Sequence, residues 1–211
     1  MTVQKGPGRR RAVQARSKAT VQKILDSAIQ LMIEKGAERV TMTEIAQRSD
    51  LVIGTLYQYF ADKSAIHRAI LLHHHADVRL MLHDFLAPVR SLEDLIAAGE
   101  AAFEQYFTLH QQDPLFNAIW SVVQTDAELQ KLDVEDTLQN ARFLQSVLLR
   151  LLPGMDPDRV LAACALMMQF ATTAGRFARA VPGPLAAHVR PVFQQMLRDT
   201  MRAIDREPLS D

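Results

Sequence analysis

The chain has 211 residues, 48% of them hydrophobic, enough for one large domain or two smaller domains with a buried core. No apolar run reaches the roughly 18 residues of a membrane span, and no N-terminal secretion signal is present, so we expect a soluble, cytoplasmic protein without a membrane partner. The single cysteine, Cys164, excludes an internal disulfide and a cysteine-based zinc cluster, and we interpret it as a packing residue.

The charges of the chain cancel overall but are unevenly distributed. Residues 1–70 hold twelve Lys and Arg against six Asp and Glu, whereas residues 71–211 hold twelve against eighteen. The first 25 residues carry seven basic side chains and no acidic one, which suits contact with phosphates. A basic tail alone is more typical of a solvated terminus. Its position before the motif described next favours phosphate contact, and we predict a flexible basic arm over residues 1–16.

Helix signals follow one another closely after this arm. A first helix is predicted over about residues 17–35, with Gly36 as its stop. A second helix begins after Thr41, which has Glu44 in capping-box spacing. A third helix spans about residues 54–60, and Asp62 can cap a long fourth helix. Two short helices joined by a tight turn form a helix-turn-helix, whose second helix enters a DNA major groove.

The third predicted helix reads GTLYQYF over residues 54–60 and resembles the recognition helix of the tetracycline-repressor (TetR) family of bacterial transcription regulators. The resemblance covers residues 17–72, roughly a quarter of the chain. It implies an all-α fold with a three-helix DNA-binding domain over residues 17–62. A long helix would join this domain to a helical ligand-binding and dimerisation domain over residues 63–211.

The resemblance also implies roles for individual side chains in binding double-stranded operator DNA. The side chains implied to lie toward the bases are Thr43, Ile53, Gly54, Thr55 and Gln58, and those implied to hold phosphates are Tyr57, Tyr59 and Lys63. Leu56 and Phe60 are expected in the core, as their spacing also indicates. For Tyr57 we favour phosphate contact over ordinary aromatic packing, whereas for Tyr59 both interpretations stay open.

The turn before this helix departs from the family pattern, because residues 49–53 read SDLVI where a sequence such as AGVSK is usual. Asp50 replaces a glycine, and Asp tolerates the left-handed conformation that such a turn needs. Val52 replaces a capping serine, at an expected cost of about 1 kcal/mol. Ile53 would expose an apolar side chain, which suits contact with thymine methyl groups.

The rest of the chain reads as helices separated by capping signals and breaks. These signals are Ser91, Asp113-Pro114, Thr125 with Glu128 in capping-box spacing, Asp156-Pro157 and Pro182-Gly183-Pro184. Pro191 either starts the last helix or kinks it. Residues 160–171 contain only one polar side chain, so this helix should be buried on two faces. We predict a homodimer through the last two helices, with a central helix in a monomeric bundle as the alternative.

The family resemblance implies a small-molecule pocket in the C-terminal domain. The side chains from which it would draw are Phe103, Tyr106, Phe107, His110, Phe116, Trp120, Met167, Met168, Phe170 and Arg176. An aromatic and Met stripe is more often plain core. His110 and Arg176 are the polar residues on these apolar faces, and each is also compatible with a purely structural role.

Other polar clusters predict no further chemistry. The run from His73 to His75 spreads over about 200° of helix circumference, which disfavours a shared metal ion, and no cofactor is expected. The clusters Glu93-Asp94 and Asp133-Glu135-Asp136 are interpreted as solvated helix faces. No phosphate-binding glycine loop, HExxH motif or supported Ser-His-Asp order is present, so an enzyme is the least favoured class.

The sequence therefore predicts a ligand-responsive regulator that binds a palindromic operator as a homodimer and is released by a small, largely apolar effector. A repressor and an activator would look identical in sequence. A second hypothesis, motivated by Val52 and Ile53, is a helical adaptor of the same fold that has lost operator reading.

Overall fold

The computed structural model describes residues 7–206 of the chain, and side-chain environments within residues 14–204. Every regular element in this range is a helix, which confirms the predicted all-α class. The chain divides into two compact units. The first comprises Met1–His73 and Asn117–Thr125, and the second comprises His74–Phe116 and Asp126–Asp211.

The first unit contains the predicted helix-turn-helix. Its elements are α1 (Pro7–Lys35), a short 3-10 helix (Ala37–Arg39), α2 (Met42–Arg48), α3 (Ile53–Tyr59), the beginning of α4 (Lys63–Leu86) and, from Asn117 onward, the rest of α6 (Pro114–Val123). The expected start signals of α2 and α4 are confirmed. The Thr41 hydroxyl accepts the Glu44 N–H at 3.3 Å, and the Glu44 carboxylate accepts the Thr41 N–H at 3.0 Å. The Asp62 carboxylate accepts the Ala65 N–H at 2.8 Å.

The predicted start of the first helix is wrong, because α1 begins at Pro7 and not near residue 17. Residues 7–16 therefore belong to a helix and not to a flexible arm. Proline is well tolerated in the first helical turn, where its missing N–H has no partner in any case, and the Arg, Ala and Gln residues that follow favour helix. Residues 1–6 and the side chains of residues 7–13, with their predicted phosphate contacts, lie outside the described part.

The core of the first unit is formed by one apolar face from each helix. Its large, fully buried side chains are Ile24, Met32, Ile45, Leu56, Ile66, Ile70 and Leu71. Two ion pairs on the surface connect α1 with α2: Lys35 with Glu44, and Arg48 with Glu34. Hydrogen bonds from Lys35, and then from Thr41, lower the pKa of Glu44 to about 2. These contacts fix the helix that precedes the turn.

The second unit is built from the rest of α4, α5 (Leu92–Gln112), the first residues of α6 (Pro114–Val123), α7 (Ala127–Leu151), α8 (Pro157–Ala180) and α9 (Gly183–Arg206). Ser91 caps α5, and Asp156 caps α8 with Pro157 in its first turn, as predicted. α9 runs through Pro191, which therefore does not start it.

The predicted cap of α7 at Thr125 is wrong by one residue. Asp126 is the cap, since its carboxylate accepts the N–H groups of Glu128 and Leu129 at 2.9 and 3.2 Å. The Thr125 hydroxyl donates instead to the carbonyl of Val122 at 3.1 Å. A carboxylate is as good a cap as a hydroxyl and adds a favourable charge at the helix N-terminus.

The core of the second unit contains side chains from α4, α5, α7, α8 and α9, among them Leu86, Phe103, Leu148, Cys164 and Phe193. Cys164 is 1% exposed, which confirms its expected role in packing. α8 is long and apolar enough, by length and composition alone, to cross a membrane. The core helix of a soluble protein passes the same test, and α8 places one stripe in this core.

Candidate nucleic-acid interface and effector site

The turn between α2 and α3 has the geometry that a helix-turn-helix requires. Asp50 has a φ of 52°, which confirms that it takes the left-handed conformation predicted for it. Ser49 is fully buried, and its hydroxyl donates to the carbonyl of Ile45 at 2.6 Å. Val52 caps α3 without any side-chain hydrogen bond, as expected for a residue that replaces serine. The conformation of the turn is thus fixed by Ser49 and Asp50, whereas the N-terminus of α3 has no side-chain capping hydrogen bond.

α3 has one buried and one exposed face. Leu56 is 0% and Phe60 is 8% exposed, so their expected place in the core is confirmed. Tyr57 is 52% exposed, and Gly54 and Gln58 also lie at the surface. The side chains that could reach a duplex therefore lie on the exposed face of a helix whose opposite face is held in the core by Leu56.

The other residues expected to contact DNA lie around this exposed face to different degrees. Thr43 is exposed, Thr55 and Tyr59 are half-buried, and Ile53 is 38% exposed. The Lys63 ammonium donates to the carbonyls of Glu38 at 2.8 Å and Ala37 at 3.4 Å. Because an ammonium has three donors, these bonds leave one N–H of Lys63 for a phosphate.

The residues expected to line a pocket separate into different environments. Phe103 and Met167 are buried core residues, and Phe107 packs against the same core. Phe170 is 44% exposed. Trp120 belongs to the first unit, whereas the other members of the predicted set belong to the second. Met168 packs against the same core as Phe107.

Two members of the predicted set, Tyr106 and Phe116, contact the imidazole of His110, which is 0% exposed. The ring centroid of Phe116 lies 3.5 Å from that of His110, and the ring of Tyr106 approaches edge-on at 4.5 Å. A Cβ placed on Gly175 of α8 would come within 2.8 Å of the imidazole Cγ, so the ring lies against the α8 backbone. The Tyr106 hydroxyl is paired with that of Thr172 at 2.9 Å.

Among the residues that the structure describes, neither ring nitrogen of His110 has a hydrogen-bond partner. A buried donor or acceptor without a partner costs about 1–3 kcal/mol. Burial first, and then the electrostatic effects of His74, Arg176 and Arg179, lower the pKa of His110 to about 3. The imidazole is therefore neutral at pH 7 and presents one donor and one acceptor.

A second buried polar group joins α4 to α7. Asp136 is 8% exposed; it forms an ion pair with Arg79 and accepts the side-chain N–H of Asn140 at 2.9 Å. His75 lies 3.4 Å from a carboxylate oxygen of Asp133. The prediction of a solvated face at Asp133-Glu135-Asp136 is wrong for Asp136, because it shares a helix face with apolar core positions of α7.

The sequence did contain a signal for the buried polar residues of α7. Leu129, Asp136, Asn140 and Leu144 lie at helical spacings on the buried stripe of α7. Polar residues at core positions are expected to pair with one another. Among the residues that the structure describes, no group of three His, Cys, Asp or Glu side chains could hold a metal ion.

The outer faces of α8 and α9 carry large apolar side chains in the solvent. The exposed residues are Leu166, Phe170 and Phe177 on α8, and Leu185, Val192 and Met196 on α9, each between 44% and 57% exposed. Within each helix they are four, seven or eleven residues apart, so they form one stripe per helix. We call these six residues the α8–α9 apolar surface. The apolar helix expected to be buried on two faces is thus buried on one within a single chain.

An exposed α3 behind a left-handed turn, together with a separate helical unit that encloses polar groups, defines the class of helix-turn-helix transcription regulators. The comparison with family models agrees. The model described as "Bacterial regulatory proteins, tetR family" matches residues 24–70, and that described as "Tetracyclin repressor-like, C-terminal domain" matches residues 93–199. The chain belongs to the tetracycline-repressor family.

Solved structures show the same fold at low sequence identity. SmeT, the repressor of a multidrug efflux pump of Stenotrophomonas maltophilia, is 20% identical with a TM-score of 0.63, over 90% of this chain and 97% of SmeT. The repressor AlkX from Dietzia, implicated in biodegradation of n-alkanes, is 14% identical with a TM-score of 0.59, over 90% and 99% of the two chains. A putative regulator from Streptomyces coelicolor is 15% identical with a TM-score of 0.66, over 86% and 98%.

One curated relative, the A-factor receptor protein of Streptomyces griseus, is 35% identical over 89 residues. The match covers 42% of this chain and 30% of the receptor. Members of the family are in general soluble, non-enzymatic DNA-binding proteins that bind ligands and work as dimers. This chain is a transcriptional regulator of that family.

Proposed function

We propose that the chain is a cytoplasmic, ligand-responsive repressor that binds a palindromic operator as a homodimer and is released by a small effector. The functional division would assign operator binding to residues 17–62 and effector binding with dimerisation to residues 63–211. The observation that carries the proposal is α3, which exposes Tyr57 and Gln58 while Leu56 anchors it in the core.

Operator reading is proposed to use the exposed edge of α3. Gly54, Thr55 and Gln58 would lie toward base edges with Ile53 against thymine methyl groups, and Thr43 would assist from α2. The hydroxyls of Tyr57 and Tyr59 and the ammonium of Lys63 would contact phosphates, which position the helix without reading sequence. For Tyr57, its 52% exposure supports a role outside the core.

The homodimer is proposed to form through the α8–α9 apolar surface. An exposed apolar area of this kind marks an interface, because leaving six large apolar side chains in water is unfavourable. Two copies related by a two-fold axis would bury the same surface of each partner. The resulting symmetry is the one that a palindromic operator requires.

Release from the operator is proposed to follow effector binding inside the second unit. The effector must bind the released form more tightly than the operator-bound form, since only a difference in affinity shifts the equilibrium. The group around His110 is the proposed site, with Tyr106, Phe116 and Arg176 beside it. Phe170 is better explained by the dimer, because it belongs to the α8–α9 apolar surface.

The operator proposal is tested by titrating salt against binding to the intergenic DNA upstream of the gene. We expect a steep loss of affinity with salt and a preference over random DNA. Thr55→Ala and Tyr57→Ala should each weaken specific binding about 5- to 150-fold, the range of one good DNA contact. Tyr57→Phe separates the hydroxyl from the ring: it should weaken binding as Tyr57→Ala does if the hydroxyl contacts the phosphate, and leave binding unchanged if only the ring matters.

A helical adaptor remains the alternative, favoured by the exposure of Val52 at 76% and Ile53 at 38%. An apolar pair at the start of α3 could contact another protein instead of thymine. The double variant Thr55→Ala, Tyr57→Ala separates the two functions. A DNA reader loses its regulatory effect with these substitutions, whereas an adaptor keeps it.

A further inference from the structure

We propose that His110 is the polar anchor of the effector site, and that this site takes an uncharged ligand with a hydroxyl group on an aromatic body. The inference rests on the proposed function of the second unit as the effector-binding unit. It replaces the general expectation of a largely apolar effector with a specific chemical class and names the residue that would recognise it.

The first argument is hydrogen bonding. His110 is fully buried, and both of its ring nitrogens lack a partner in the described part of the chain. A neutral imidazole needs an acceptor for its N–H and a donor for its other nitrogen. A hydroxyl group is both donor and acceptor, so a single group can satisfy either nitrogen. Buried polar groups in native proteins are nearly always satisfied, which makes this unpaired ring exceptional.

The second argument is shape. One side of the imidazole is closed by Gly175, where even a methyl group would come within 2.8 Å of Cγ. Another neighbour is the ring of Phe116, 3.5 Å away between centroids, which also makes an edge contact with His74 at 5.1 Å. A ligand ring can therefore reach the imidazole by taking the place of Phe116. An aromatic ligand restores the ring contacts that His110 and His74 lose.

The third argument is charge. Burial first, and then the electrostatic effects of His74, Arg176 and Arg179, hold the pKa of His110 far below its usual range, so the site opposes an added positive charge. Burial also raises the pKa of Tyr106, whose ring lies 4.5 Å from His110, by more than the Thr172 hydrogen bond and the charge of Arg176 lower it, so a negative charge is opposed there as well. Both cationic and anionic ligands should bind less well than neutral ones.

A set of four probes with the same benzene ring tests this inference on the full-length protein at pH 7. The probes are phenol, toluene, benzylamine and benzoate, which carry a hydroxyl, a methyl, a positive and a negative group. Binding is followed by melting temperature and by the nitrogen resonances of ¹⁵N-labelled histidine side chains. We expect phenol to shift the His110 ring signals and to bind about tenfold more tightly than toluene, as one net hydrogen bond gives.

Substitutions identify the residue responsible. His110→Phe should bring the affinity ratio of phenol to toluene close to one, and His110→Gln should keep the preference because an amide also donates and accepts. His83→Phe is the matched control, since His83 is exposed and stacks on Phe143 at 5.0 Å. The wild-type histidine spectra test the inference even if a variant does not fold.

Three outcomes would overturn the inference. The His110 signals stay unchanged with all four probes, as when an ordered water molecule is the only occupant. A charged probe binds more tightly than phenol. The preference for phenol survives in His110→Phe. Operator binding is measured on the same preparations without probe, so that a failure of DNA binding is distinguished from a failure at His110.

Discussion

α3 of the first unit leaves Tyr57 and Gln58 in the solvent and buries Leu56, whereas α5 of the second unit buries His110 completely. Under the proposed function, this difference matches the size of the two ligands, operator DNA and a small effector. A DNA duplex cannot enter the interior of a protein, so the side chains that contact it must lie at the surface. A small molecule can be enclosed in the interior, so the polar side-chain atoms that bind it can be buried. Exposure is therefore the guide to the first site, and an unpaired buried atom is the guide to the second.

The two kinds of site also differ in what a substitution changes. An exposed side chain on α3 contributes little to folding, so its removal should affect DNA binding alone. A buried polar side chain contributes to both folding and binding, and the two effects must be measured separately. Each prediction below tests one side of this contrast, and they run from the largest expected effect to the smallest.

The α8–α9 apolar surface should control assembly. Replacing Phe170 and Phe177 together by Glu places two charges on each side of the proposed two-fold interface. We expect a monomer in analytical ultracentrifugation and a loss of operator affinity on the order of 100-fold or more, because a single half-site gives only part of the specific free energy. Leu80→Glu is the matched control, since Leu80 is 65% exposed on α4 and lies outside this surface. A stable dimer of the double variant would contradict the prediction.

The buried imidazole should make stability depend on pH. Because the pKa of His110 is lowered from 6.5 to about 3, the unfolded chain binds more protons than the folded chain between these values. Stability from this group is complete above pH 6.5 and is lost as the pH falls toward 3, with a slope of up to about 1.4 kcal/mol per pH unit. The pKa of His74 is also lowered by burial, so it adds a slope of the same sign.

Urea unfolding at pH 5 and pH 7 measures this slope. In His110→Phe the difference in unfolding free energy between the two pH values should be smaller than in the wild type. An unchanged difference would show that His110 is protonated in the folded protein.

The first unit was more predictable from sequence because its signals are local. The capping box of Thr41 with Glu44, the left-handed Asp50 and the burial of Leu56 depend on neighbours a few residues away, and all three are confirmed. The start of α1 at Pro7 was missed because a basic segment without an apolar stripe has no hydrophobic period, although its residues favour helix.

The second unit was less predictable from sequence because the environments of its buried polar side chains depend on contacts between residues that are distant in the chain. Arg79 meets Asp136 across 57 residues of chain, and an acidic cluster viewed alone resembles a solvated face. His110 was recognised as a polar residue on an apolar stripe, but its unpaired nitrogens depend on Phe116 and Gly175 from other helices. A polar residue on an apolar helix face can be recognised from the nearby sequence. The residues that it contacts cannot, because they come from distant parts of the chain.

Two glycines of the second unit provide a matched pair. Replacing helical glycine by alanine normally stabilises by about 0.5–1 kcal/mol. At Gly99 the new methyl would lie 3.4 Å from a Leu197 methyl, an ordinary contact, so Gly99→Ala should be neutral or stabilising. At Gly175 the methyl would lie 2.8 Å from His110, so Gly175→Ala should destabilise by about 1–3 kcal/mol through overpacking. Chemical denaturation measures the change in unfolding free energy for both variants. Equal changes would contradict the prediction and mean that the His110 side chain can move away from the new methyl group.

The smallest expected effect concerns the uncapped start of α3. Val52 is 76% exposed and offers no hydrogen bond to the first turn, so Val52→Ser loses little apolar burial and adds an acceptor for an unpaired N–H. We expect the first unit to gain about 1 kcal/mol, while the His110 ring signals stay unchanged. Val52→Ala removes the same methyl groups without adding an acceptor, and it should give no such gain. If serine and alanine had equal effects, the start of α3 would be satisfied by water, and its stability would come entirely from Leu56 and the turn.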